Sequence, residues 1–156
     1  MNAVVRTDKM FATDNRAGLV SVRTEAAIDN GNILTIGGLE EGSREVYTAA
    51  APVAGDLINN IVLVASPELM YDEHKHNLDK FQNAAGSIVR GYRLHSGDVF
   101  SVTKEALVGE PEIGAAVTTD ADSSTKLAVG GSGTPIGKII DIEVAGRYTY
   151  YVIQVA

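Results

Sequence analysis

Ile136-Gly137-Lys138-Ile139-Ile140-Asp141-Ile142-Glu143-Val144, followed after Ala145-Gly146 by Arg147-Tyr148-Thr149-Tyr150-Tyr151-Val152-Ile153-Gln154-Val155, decides the fold class. In the first run Ile136, Ile140, Ile142 and Val144 share one face of an extended strand, with Gly137, Asp141 and Glu143 on the other. The second run is rich in Tyr and β-branched residues, which suit a pleated, half-buried surface. Together they predict a β-hairpin whose Ile140, Ile142 and Val144 face the core.

Working back from that hairpin, turn signals recur at short intervals. Gly130-Gly131-Ser132-Gly133 reads as a flexible link into it. Ala115–Thr118 and Lys126–Val129 flank a polar turn, and Ile88–Leu94 and Val99–Thr103 flank His95-Ser96-Gly97-Asp98, which reads as a hairpin loop. Ile61-Val62-Leu63-Val64 is an unbroken apolar run, as expected of a strand buried on both faces. Val46-Tyr47-Thr48 is a further short strand, and Asn30-Gly31 is a turn between Ala26-Ala27-Ile28 and Ile33-Leu34-Thr35-Ile36. Gly37-Gly38 is expected to break the last of these. The exception lies at Ser66-Pro67-Glu68, a helix-start pattern with Ser as cap and Pro in the first turn. It predicts one short helical region over 66–85, ended by Gly86. The expected fold is mostly β, barrel or sandwich-like, with seven or eight short strands.

Residues 1–25 have no clean period beyond a candidate strand at Gly18–Arg23, so they read as an extended N-terminal arm or edge segment on a single β-rich domain spanning 26–156. The arm carries a net charge of +1 and the remainder −8, out of −7 for the chain. An acidic body disfavours nucleic acid, whose binding needs Lys and Arg to displace counterions. With 156 residues, 45% hydrophobic and 21% charged, the chain can bury a core, and 16 glycines without a single Trp suit a turn-rich β protein. There is no Cys, hence no disulfide or thiolate metal site. No run approaches the roughly 18 apolar residues of a membrane span, and Met1-Asn2-Ala3-Val4-Val5-Arg6 lacks a signal-peptide core, so a soluble chain made in the cytoplasm is expected.

Chemistry-bearing motifs are incomplete. Asp72-Glu73-His74-Lys75-His76, with Asp79 beyond, places His74 and His76 on one face only if the segment is a strand. A cupin-like metal site would also need Glu where Lys80 stands and Gly where Glu68 stands, so a solvated charged surface is the simpler reading and no metal or cofactor is expected. Gly130-Gly131-Ser132-Gly133-Thr134 is neither a nucleophile elbow nor a phosphate loop. His95, Ser96 and Asp98 crowd one turn, where turn chemistry explains them without catalysis. Glu40-Glu41 and the pair Glu110 and Glu112 lack the aromatics that support sugar chemistry. Tyr148, Tyr150 and Tyr151 suit an interface or simply a strand. A non-enzymatic binding or structural protein is expected.

One resemblance gives that class a content. Arg90-Gly91-Tyr92-Arg93-Leu94-His95-Ser96-Gly97-Asp98-Val99-Phe100-Ser101-Val102-Thr103, the preceding Asn77-Leu78-Asp79-Lys80-Phe81, and the stretch from Ile33 to Tyr47 resemble the capsid decoration (cement) proteins of tailed bacteriophages. The helix expected over 66–85 departs from the smallest of those folds. The resemblance implies a virion protein on the capsid exterior that binds the major capsid protein and stabilises the expanded shell. It also implies an N-terminal segment that pairs with capsid subunits, and a homo-oligomer, with a trimer as one candidate. On that reading Val4, Val5, Arg6, Met10 and Phe11 are the candidate capsid-binding residues, since the apolar four have no periodic place in a core. Two alternatives stand beside it: a β-barrel metal- or ligand-binding module or enzyme using His74 and His76, and a phage tail or baseplate component.

Overall fold

The computed structural model describes residues 1–156 except Glu73, Lys75, His76 and Ser123. The chain is mostly β, as the turn pattern predicts. Its strands are β1 (Val5–Lys9), β2 (Leu19–Arg23), β3 (Ile33–Leu39), β4 (Val46–Ala50), β5 (Ile61–Val64) and β6 (Ile88–Arg93). They continue with β7 (Val99–Val102), β8 (Leu107–Val108), β9 (Ala116–Thr119), β10 (Leu127–Val129), β11 (Pro135–Ala145) and β12 (Tyr148–Val155). They form a closed five-stranded barrel, β2-β4-β3-β5-β6, and a seven-stranded sheet in the order β1-β7-β12-β11-β9-β10-β8. Pairing is antiparallel except between β2 and β4 and between β8 and β10.

β5 explains how the two units fit together. All four of its residues are buried, and successive side chains of a strand point to opposite faces. Val62 and Val64 enter the barrel interior with Val20, Val22, Leu34, Ile36 and Val89. Ile61 and Leu63 enter a second core with Phe100, Val102, Leu127, Ile136, Ile139 and Ile153 of the sheet. An unbroken apolar run is therefore the signature of a wall shared by two cores. β3 begins the same way, Ile33 serving the sheet core and Leu34 the barrel.

The first 25 residues do not hang free. β1 lies along β7 with Val5 opposite Val102, and β2 is a stave of the barrel between β4 and β6. A helical turn at Phe11–Asp14 and a 3-10 turn at Arg16–Gly18 carry the chain from one unit to the other. The segment lacks a single period because it serves two cores: Val5 and Met10 enter the sheet core, Val20 and Val22 the barrel.

Over 66–85 the expected helix is reduced, among the described residues, to one 3-10 turn at Leu78–Lys80. Ser66 is engaged elsewhere. Its N–H donates to Asn30 Oδ1 at 3.0 Å, its carbonyl accepts from Asn30 Nδ2 at 2.8 Å, and its hydroxyl accepts from Arg90 N at 3.1 Å. Leu69 and Tyr71 lie exposed, so the segment has no apolar stripe with which to dock a helix. A cap and a proline do not outweigh that.

Two further expectations change. β6 and β7 do not pair with each other: His95–Asp98 is the crossing from barrel to sheet, held by the buried Asp98, which accepts from His95 N at 2.8 Å and Phe11 N at 2.9 Å. β3 runs on through Gly37 and Gly38 to Leu39, with a register shift there. The Gly130–Gly133 link is pinned at its end, Thr119 N–H donating to Thr134 O at 2.9 Å and Thr134 N–H to Thr119 Oγ1 at 2.9 Å.

Candidate interaction surface

The terminal hairpin is the longest pairing in the molecule, and it projects. β11 meets β9 only from Pro135 to Lys138, while β12 meets β7 only from Tyr151 to Gln154. Residues 140–145 and 148–150 continue past both neighbours. The loop between them is Gly146-Arg147, with Gly146 at φ 63°, the positive φ that a two-residue hairpin turn requires. At the hairpin's root Gly137 is obligatory, because a Cβ there would overlap the Gln154 carbonyl.

A β-bulge sets which residues the tip displays. Ile139 lies opposite Ile153, yet Asp141 lies opposite Val152, leaving Ile140 as the extra residue. The bulge shifts the alternation. Ile139 is fully buried, whereas Ile142 and Val144, opposite Tyr151 and Thr149, keep 38% and 73% of their surface in solvent. Ile140 is also exposed. The expectation that Ile140, Ile142 and Val144 are core residues is thus corrected: Ile142 and Val144 occupy the same sheet face as Ile153, but beyond the end of the core. The Ile139-Ile140 doublet, two apolar neighbours in an otherwise alternating strand, is the sequence signal of the bulge.

The tip's opposite face is fixed by the N-terminus. Val4 packs with Tyr148 and Tyr150 in a small cluster of its own, and the Arg6 guanidinium stacks over the Tyr150 ring at 3.9 Å while forming an ion pair with Glu143. The hydrogen bond to Glu143 raises the Arg6 pKa, holding the cation more firmly still. Burial raises the Tyr150 phenol above its ordinary value, although Arg6 opposes this. Below, the buried Asp79 faces the Tyr148 hydroxyl at 3.4 Å and Arg147 Nη2 at 3.5 Å, and its backbone carbonyl accepts from Asn2 N at 2.8 Å.

No family model, curated protein or solved structure matches this chain.

The residues expected to bind a partner divide accordingly. Val4, Val5 and Met10 are buried against their own chain and present nothing to a partner. Arg6 is half-buried within the tip. Phe11 is exposed and stacks on His95 with ring centroids 4.2 Å apart. Of the metal alternative, His74 is exposed and its backbone N–H donates to Asp72 Oδ1 at 2.9 Å, while His76 lies outside the described residues. Among the described residues no three His, Asp or Glu side chains are grouped to hold a metal ion.

Proposed function

We propose that this chain is a structural protein that binds the outer surface of a tailed-phage capsid, through the major capsid protein, and stabilises the shell. The observation that supports this reading best is the projecting hairpin, whose exposed Ile140, Ile142 and Val144 stand on a β element paired at its root with β9 on one side and β7 on the other. Exposed apolar side chains grouped on a stiff element suit a protein interface, whereas scattered ones do not. Asp98, the acid of the His95-Ser96-Gly97-Asp98 turn, has structural partners instead. Both Asp98 oxygens accept backbone N–H groups, and Ser66 Oγ accepts from Arg90. The resemblance to decoration proteins supplies the partner.

Residues 1–15 include the buried Ala3, Val4, Val5, Met10 and Ala12, so deleting them would damage the core and a truncation cannot test this function. The test is sedimentation of the intact protein with expanded, undecorated shells assembled from the capsid protein encoded in the same genome. Co-pelleting that saturates at a fixed ratio to capsid subunits is expected. Protein that stays wholly in the supernatant overturns the assignment.

A further inference from the structure

Past Ile139, whose N–H donates to the Ala115 carbonyl and whose carbonyl accepts from the Gly114 N–H, β11 has a neighbour on one side only. In a hairpin closed by two residues the flanking pair Ala145 and Tyr148 exchanges both hydrogen bonds, as do Glu143 with Tyr150 and Asp141 with Val152. The N–H and C=O groups of Ile142 and Val144 therefore point outward, toward the open edge. Along this edge acidic Asp141 and Glu143 lie on one face, and apolar Ile142 and Val144 on the other.

We infer that this edge accepts an extended segment of another protein that alternates apolar residues with Lys or Arg, added as a further strand of the sheet. The inference rests on the capsid-binding reading above and specifies the chemistry of the partner segment. Charge selects the occupant. A second copy of the chain, paired antiparallel across a two-fold axis at Glu143 or at Ile142, would set Glu143 against Glu143 or Asp141 against Glu143, and directly opposed like charges destabilise a sheet. Glu143 already pairs with Arg6, so a basic residue of an incoming strand is met by Asp141, which has no cationic partner among the described residues. The apolar residues of that strand fall beside Ile142 and Val144.

Asp141 adds a lock. Its Oδ1 accepts the Ile142 N–H at 2.8 Å, so a carboxylate covers the donor that an incoming strand needs. Charged groups of this kind protect edges from indiscriminate pairing. A Lys or Arg arriving opposite Asp141 draws the carboxylate to itself and uncovers the N–H. A neutral or acidic strand cannot.

The test uses the intact protein with two short capped peptides, one alternating Val and Lys and the other Val and Glu. Amide exchange at Ile142 and Val144 is followed by NMR. The Val–Lys peptide is expected to slow exchange at both amides and the Val–Glu peptide at neither. Val144→Pro deletes an outward N–H without touching a bond to β12, and is expected to weaken Val–Lys binding by about tenfold. Should that variant fail to fold, Ile142→Lys places a cation on the edge and is expected to weaken the same peptide. Equal binding of both peptides overturns the inference. So does concentration-dependent self-association of the free chain that protects these two amides. The two readings fail separately. A folded Val144→Pro protein that pellets with shells as the unaltered protein does would remove the edge and keep the capsid. Protein that binds the Val–Lys peptide yet never pellets would keep the edge and remove the capsid.

Discussion

Ile139 and Ile142 are three residues apart on one strand, and the bulge between them separates their roles. Ile139 has no exposed surface and lies opposite Ile153, so truncation leaves a cavity as well as removing buried methyl groups. Ile139→Ala is expected to cost about 2–5 kcal/mol and Ile142→Ala less than about 1 kcal/mol, read from urea midpoints. Equal losses would mean that the tip packs as the root does. Strict alternation leads to the opposite ranking. The inserted residue was visible only as the Ile139-Ile140 doublet, which an unbent strand buried on both faces would display equally well. Tyr150 makes a second residue-scale prediction. Burial raises its folded-state pKa above the ordinary tyrosine value of 10.0, so the folded protein keeps this proton longer than the unfolded chain does. The stabilisation is complete below that value and is lost as pH rises through the folded pKa. Stability should therefore begin to fall as pH passes the ordinary tyrosine value and keep falling through the raised folded pKa, and fall less steeply in Tyr150→Phe, which keeps the ring beneath Arg6. Identical alkaline slopes in urea titrations of the two proteins would refute this.

Among the elements, the strands were the most legible and their partners the least. Val99–Thr103 and Ile88–Leu94 are strands of nearly the expected extent, yet they pair in different units. A turn dipeptide reports only that the chain reverses or bends; what it pairs with depends on distant residues. The helical region predicted over 66–85 is reduced, among the described residues, to one 3-10 turn for a related reason, since Asn30 holds Ser66 from 36 residues away. β5 carries the element-scale prediction. Its backbone holds Leu63 in one core and Val64 in the other, so damage on one face is felt on both. Leu63→Ala should cost about 2–5 kcal/mol. It should also lower native-state amide protection at Val89 in the barrel along with that at Ile153 in the sheet. Loss confined to the sheet would establish two independently stable units.

At the scale of the whole molecule, the class was legible and the arrangement was not. Gly-rich turns and short strands follow from composition and period. Division into a barrel and a sheet does not, because both cores draw on the same residue types and β5 alone hints at two. Three of the capsid-binding candidates are taken up by the fold at this scale as well. Val4, Val5 and Met10 lack a local period because their partners, Tyr150, Val102 and the rest of the sheet core, lie about a hundred residues downstream.

That separation matters during synthesis. The barrel strands β2 to β6 are inserted between β1 and β7, and Val5 finds Val102 only when the chain has passed through all of them. A ribosome adding roughly 5–20 residues per second leaves β1 without a partner for about 5–20 s. The barrel, whose strands are contiguous, can close within that interval. β1 is left outside it as a strand made early and docked late. β1 thus waits undocked while the barrel strands are made, and is absorbed into the sheet only as β7 and β12 arrive.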